Sequence, residues 1–398
     1  MNLTYRHTIY ASYIGYITQA IIVNFAPLLF LTFQTVYHIP ISQITVLVTV
    51  YFLVQLLVDL FSIRSIDRIG YRKCIVAAHV LSAIGLISLP YLPILFYNAF
   101  WGLLAAVVCY AIGGGLLEVL LSLIVEACPT PNKPAAMSLL HSFYCWGHAF
   151  VVILSTLYFL FIGIEHWKWL SLFWALIPLG NAYFYTKVPI AKLTEDGHGM
   201  PLANLLKHKL IWVCMLLMVC AGASEQAIAQ WSSAFAEAGL GISKTIGDLM
   251  GPCLFALLMG VARLWFSKRG AQLRLIPSMM YSSILCVMGY LIASLSPWAF
   301  LALVGCGICG LSVGILWPAS LSLTVRSLPS GGTPMFAILA FSGSLGCSAG
   351  PMLVGLAASE SAERLPLGIL AATVFPFLSL IGLFLYLFFH KRSCVQKT

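Results

Sequence analysis

A helical integral membrane protein, with twelve spans in two related halves, is the fold class the sequence predicts, on three observations. Of its 398 residues, 61% are hydrophobic and 8% charged, where soluble domains carry about a quarter charged residues. Apolar runs of roughly 20 residues, each able to cross ~30 Å of hydrocarbon as a helix, occur twelve times. They fall at 8–32, 43–62, 74–96, 99–127, 135–162, 167–186, 209–235, 247–266, 275–295, 298–325, 333–358 and 366–390. The third observation is an internal repeat. Residues 99–142 laid without a gap on 299–342 match at Ala, Phe, Leu, Cys and Gly positions and in an LSL-x-V block. Pro129/Pro329, Pro134/Pro334 and Ser142/Ser342 also coincide.

The first run is too long for the apolar part of a cleavable signal and has no small-residue cleavage site, so it reads as span 1. Ten of the twelve cysteines fall inside spans and lack metal-ligand spacing, so they read as packing residues and not as a disulfide framework. Net charge is +9, but its distribution excludes nucleic acid as the reason. With alternate connections on opposite sides, eighteen of the twenty-one Lys and Arg lie on the side of both termini, and only Lys168, Lys244 and Arg364 lie opposite. By the positive-inside rule the chain is expected in the plasma (inner) membrane with both termini cytoplasmic.

In span 1, Tyr16, Ala20 and Asn24 share a face. Asn24 suits either a cavity wall or a bond to a neighbouring helix. Span 2 ends in Gln55, Asp59 and the connection SIRSIDRIGYRK, residues 62–73. Here the chain resembles the major facilitator superfamily, whose signature between spans 2 and 3 is Gly-x-x-x-Asp-Arg/Lys-x-Gly-Arg/Lys-Arg/Lys. Asp67, Arg68, Gly70 and Arg72 fit it, while Ile63 and Tyr71 depart from it. The resemblance implies that these four residues form a conformational gate, a latch between halves. The alternative is a solvated basic loop. The connection after span 8 repeats the cations as Arg263, Lys268, Arg269 and Arg274 but lacks the acid. Six-helix halves at 1–190 and 207–398 follow, joined by a cytoplasmic linker at 191–206, and parallel repeats of this kind describe that superfamily.

Span 4 buries Glu118 in an apolar run, with Gly114 and Ser122 four residues away on the same face. A charge at mid-bilayer costs on the order of 2.5–3.5 kcal/mol even on the lenient insertion scale, so Glu118 is expected inside the bundle as a site of reversible protonation. A purely structural hydrogen bond is the alternative, and Glu126 reads as an interfacial charge. Span 5 carries the stripe His141, Tyr144, Cys145 and His148, suited to a sugar or proton pathway or to packed histidines. Span 7 places Glu225, Gln226 and Gln230 on one face before Trp231, which itself suits the aromatic belt. Span 10 sets Trp317 and Pro318 at the repeat image of Leu117 and Glu118, where proline is expected to kink the helix.

Three of these stretches are similar to the fucose/galactose/glucose:proton symporter family: the Glu118 segment, GASEQAIAQW at 222–231 and WPASLSL at 317–323. Ser122 stands where that family more often has Asn, and Asn24 where its fucose permease carries an acid. The resemblance implies a secondary active transporter of a small polar solute, a neutral hexose, by alternating access with Glu118 as the coupling acid. Asn24, Ser122, His141, Tyr144, Glu225, Gln226, Gln230 and Trp317 complete the expected binding set with Glu118, and no Lys or Arg is expected within the membrane core. Efflux of drugs or organic cations by the same superfamily is the alternative. A membrane enzyme is disfavoured because no Asp or His cluster marks a membrane face. Primary active transport is disfavoured because no Gly-x-x-x-x-Gly-Lys-Ser/Thr loop exists. The expected partners are solute, proton and bilayer, with no cofactor and a monomeric chain.

Overall fold

A computed structural model of the chain describes residues 3–129, 133–191, 202–269, 274–328, 331–359 and 361–395. Among them there is no strand, and eleven helical segments are long and apolar enough to cross a membrane. The twelfth long helix, Trp167–Lys187, has 21 residues but is diluted by Trp, Tyr and Asn181, which lowers its apolarity. In chain order we label them α1 (Tyr5–Tyr37), α2 (Ile41–Ile69), α3 (Tyr71–Ser88), α4 (Ala99–Ala127), α5 (Lys133–Phe161), α6 (Trp167–Lys187), α7 (Lys209–Gly239), α8 (Lys244–Arg269), α9 (Leu275–Leu295), α10 (Ala299–Ser327), α11 (Gly332–Ala357) and α12 (Leu365–Val395). Successive helices alternate in direction, so both termini lie at one face, called the terminal face below. The expected linker lies mostly outside the described residues, and its last part is the short helix Leu202–Leu205.

Several helices are interrupted where proline removes a backbone donor. α1 passes through a tight turn at Ala26–Leu29 around Pro27, and α8 through a π-helical turn at Leu249–Cys253 around Pro252. α10 carries Pro318 internally and still runs as one helix. The repeat is visible in the elements: α4 and α10 each span 29 residues, and their first residues are offset by 200.

Between α2 and α3 the chain turns on Gly70 alone, at φ +97°, a conformation open to glycine. The turn sets Arg72 against the end of α6, where its guanidinium donates to the carbonyls of Tyr185 at 2.7 Å and Val188 at 2.8 Å. Those carbonyls are among the last of a helix, which have no intrahelical partner.

The first six helices are tied internally by a buried polar group. His79 accepts from Asn181 at 2.8 Å, Asn181 also donates to the Ala11 carbonyl, and Ser12 pairs with the Tyr185 hydroxyl at 2.9 Å. In the last six, α7 and α11 approach so closely that backbone meets backbone. A side chain added at Gly350 would meet the Ala223 Cα at 2.8 Å. In hydrocarbon, packing of this kind and not apolar burial drives helix association. The outer surface is apolar, with Phe61, Phe161, Phe300 and Phe384 exposed.

The two sets of six meet along three seams. α2 meets α11, with Thr45 against Gly355 and Ser344 donating to Asp59 at 3.1 Å. α5 meets α8, with Thr156 donating to the buried Asp248 at 3.4 Å. α1 meets α7, with Gln230 donating to the Val23 carbonyl at 3.3 Å and Phe30 packed on Trp231. The Thr45, Thr156 and Trp231 contacts all lie toward the face opposite the termini, which is therefore shut.

Replacing Gly350 with Val should cost on the order of 1–3 kcal/mol or more by overpacking. It should lower the thermal unfolding midpoint of detergent-purified protein by several degrees, while Leu345→Val on the exposed face of α11 leaves the midpoint unchanged.

Candidate functional site

Near mid-membrane, side chains of α1, α4 and α5 face side chains of α7, α8 and α10. Four-residue spacing on α4 puts Gly114, Glu118 and Ser122 on one face, turned toward α1. Gln19 donates its amide to a Glu118 carboxylate oxygen at 3.3 Å. One turn earlier on α1, the Tyr16 hydroxyl stands 3.3 Å from Ser122 Oγ and 3.2 Å from His141 Nδ1. Tyr16 is 2% exposed whereas His141 is exposed and Glu118 and Ser122 are half-buried. Together these form one polar wall shared by α1, α4 and α5.

Asn24 lies one turn deeper. Its amide donates to the Ala20 carbonyl at 2.9 Å and to the Tyr144 hydroxyl at 3.5 Å, while its own Oδ1 has no protein partner. The span 5 stripe divides by depth. His141 bonds Tyr16, Tyr144 meets Asn24, and His148 is 1% exposed with neither ring nitrogen hydrogen-bonded. The two histidines are not a mutually bonded pair.

On α7, Glu225, Gln226 and Gln230 are 6%, 5% and 4% exposed. Gln230 donates to Gln226 at 3.3 Å as well as across to α1. Glu225 is held by Arg263 of α8 at 2.8 Å. Arg263 also neighbours Cys145 and Tyr144 of α5, and Glu118 lies within electrostatic reach of both Glu225 and Arg263. Trp317 on α10 is half-buried, its ring laid on Gly343 of α11. These contacts link Asn24, Glu118, Ser122, His141, Tyr144, Glu225, Gln226 and Gln230 across the two sets of helices, whereas the described contact of Trp317 is with Gly343.

Arg263 corrects the expectation that the membrane core holds no cation. It sits at the start of a cationic run and reads as the beginning of a loop, but α8 continues to Arg269. Arg263 is therefore about 9 Å inside the helix end. Its apolar flank, LLMGVARLWF at 257–266, was the signal available. Two further expectations change. Trp231 is fully buried and donates to the Pro351 carbonyl at 3.0 Å, so it belongs to the closed seam and not to an aromatic belt. Asp59, noted only as the end of span 2, reaches across to α11.

Of the expected gate, Arg68 is exposed at the end of α2, and Gly70 makes the turn. Both described partners of Arg72 lie at the end of α6, within the same six helices. The side chains of Asp67 and Glu126 lie outside the described residues. Among the described residues no cluster of His, Cys, Asp and Glu could hold a metal ion.

Residues 12–351 match the model of the Major Facilitator Superfamily. No curated protein sequence matches the chain. Among solved structures, the E. coli fucose:proton symporter FucP overlays with a TM-score of 0.66 at 15% identity, covering 96% of this chain and 99% of that one. The E. coli xylose transporter XylE overlays at 0.76 with 10% identity, covering 96% and 98%. The nucleoside transporter NupG overlays at 0.74 with 11% identity, covering 96% and 98%.

Removing one member of a buried ion pair strands the other, at a cost of roughly 3–5 kcal/mol. Arg263→Gln or Glu225→Gln alone should therefore lower the thermal midpoint strongly, and the double substitution should recover most of the loss. Additive losses in the double variant would show that the pair is not coupled.

Proposed function

The chain belongs to the Major Facilitator Superfamily, and on that premise we propose that it moves a small neutral sugar across the plasma membrane, coupled to a proton carried by Glu118. It is a transporter and not an enzyme. Six-helix bundles at 1–190 and 207–398 rock about the central site, the chain acting as a monomer with both termini in the cytoplasm. One observation carries this reading: the half-buried Glu118 stands among neutral donors and acceptors, while toward the face opposite the termini the two sets meet at Phe30 on Trp231, Thr156 on Asp248 and Thr45 on Gly355.

The site favours a neutral solute because its charge in α7 and α8 is already matched, Glu225 by Arg263. Asn24, Gln226, Gln230, Tyr16, Ser122 and Tyr144 provide donors and acceptors without net charge. Trp317 offers a flat apolar face of the kind that sugar C–H groups stack on. Hydroxyls of a polyol need both kinds of partner, and a site built to bond them rejects analogues that lack them.

Glu118 would be neutral while solute enters from outside. After the bundles rock, hydration from the cytoplasmic side draws the proton off, and solute leaves. The empty site then returns with a fresh proton taken up outside. A second reading, efflux of an organic cation, is supported by the described bond to Glu118, which comes from the neutral Gln19.

Proteoliposome counterflow with L-fucose, D-xylose, uridine and tetraphenylphosphonium tests both readings. A sugar should exchange, Glu118→Gln should retain that exchange, and the same variant should lose accumulation driven by a pH gradient. Exchange of tetraphenylphosphonium alone would replace the sugar reading with the cation one. Full pH-driven accumulation by Glu118→Gln would remove the proton from Glu118.

A further inference from the structure

The mechanism above takes a proton from Glu118 to the terminal face, and one face of α2 offers the route. Tyr51, Gln55, Asp59 and Ser62 stand at intervals of four, four and three, which aligns them along a single side of the helix. Tyr51, Gln55 and Ser62 are 5%, 7% and 4% exposed. All four carry a buried oxygen with no protein partner: Tyr51 Oη, Gln55 Oε1, Asp59 Oδ1 and Ser62 Oγ. On α1, Gln19 Oε1 is a fifth such atom.

The stripe passes beside Glu118. A side chain at Gly114, one turn before it, would strike the Tyr51 hydroxyl at 2.7 Å and Gln19 Oε1 at 3.4 Å. One at Gly115 would strike Val58 at 2.7 Å and the Gln55 carbonyl at 3.1 Å. α2 and α4 are therefore in backbone contact where the stripe passes Glu118, and Gln19 binds Glu118 directly through its amide. The other side of the stripe is α11, where Ser344 binds Asp59. The titratable or charged groups that face it are Glu118 and Tyr110 of α4, Tyr144 of α5 and Cys347 of α11, with Glu225 and Arg263 beyond Cys347.

Buried polar atoms are almost always hydrogen-bonded, to protein or to ordered water. A row of unpartnered oxygens therefore calls for a shared ligand. From Tyr51 to Ser62 the row runs about 16 Å along the helix, too long for one cation to coordinate. It matches a file of waters, each of which takes about three polar partners. We infer that the Tyr51–Gln55–Asp59–Ser62 face of α2 holds a water file that conducts protons between Glu118 and the terminal face. The proton leaves the Glu118 carboxyl to the nearest water, passes by successive O–H transfers, with Asp59 able to take and return it, and emerges at the terminal end of α2. Because the file runs along the α2–α11 seam, motion of α11 makes and breaks it.

This inference rests on the reading that Glu118 exchanges a proton, and the test separates the two. Full-length protein in lipid films is moved from H2O to D2O while the carboxyl C=O band assigned by its loss in Glu118→Gln is followed by infrared spectroscopy. Gln55→Leu keeps the side chain's bulk but removes both polar ends. Deuteration of Glu118 should slow about tenfold or more, the size of one lost hydrogen-bonded step. Asp59→Asn should slow it as well. Should Gln55→Leu fail to fold, Ser62→Ala makes the same test near the mouth with a smaller change. Wild-type deuteration rates in folded Gln55→Leu or Ser62→Ala would overturn the water file and leave Glu118 as the proton carrier. Absence of any Glu118 carboxyl band would instead remove the proton from Glu118 itself. A rise in thermal midpoint with NaCl but not choline chloride, cancelled by Asp59→Asn, would make the stripe a sodium site and also overturn the proposal.

Discussion

Polar groups inside hydrocarbon must find their partners within the protein, and the pair between Glu225 and Arg263 is where that constraint bears hardest. α7 carries a carboxylate and two amides in little more than one turn. That stretch is stable inside a membrane only because α8 delivers a guanidinium at 2.8 Å and α1 a backbone carbonyl to Gln230. The guanidinium is available because α8 continues past Arg263 to Arg269. Its place beside Cys145 and Tyr144 then ties the polar centre of the last six helices to α5 of the first six.

The seams between the two sets of helices follow from the same constraint. Toward the closed face they use packed rings, a glycine contact and a hydrogen bond to a buried aspartate, which has Lys244 at 3.2 Å for compensation. Nearer the terminal face the described contact is polar, Ser344 donating to Asp59. A seam of packed apolar surface opens only by losing contact, whereas a seam of hydroxyls and carboxylates can exchange protein partners for water at little cost.

Much of this organisation was legible in the residues. The repeat at 99–142 and 299–342 located α4 and α10 to within a residue or two, because shared prolines fix where both helices end. Glu118 stood out because a lone acid in an apolar run has few stable places. Arg263 did not stand out: it falls in the last residues of the run 247–266, where a cation adjoining other cations reads as the edge of a loop, and the continuation of α8 to Arg269 sets it inside. Trp231 misled for a related reason. Position along a span was taken for depth in the membrane, but α7 continues through a π-helical turn to Gly239, which moves Trp231 inward. The partners of Arg72 were illegible because the carbonyls it caps belong to α6, more than a hundred residues away.

The two halves of the repeat have diverged where the chemistry differs. The image of Glu118 is Pro318, and beside it Trp317 replaces Leu117. In α4 the position can change charge, and its neighbours are small or polar: Gly114, Ser122 and the Gln19 amide. In α10 the same position can carry no charge and has no backbone donor, and its neighbour is a rigid ring seated on Gly343. The charge in the last six helices is fixed as an ion pair, while that in the first six rests on a carboxyl with neutral partners. A transporter that must couple a proton to a solute needs one element whose charge changes and another whose shape does not. On the proposed coupling, the divergence of α4 from α10 would give the first role to the half bearing Glu118 and the second to the half bearing Trp317.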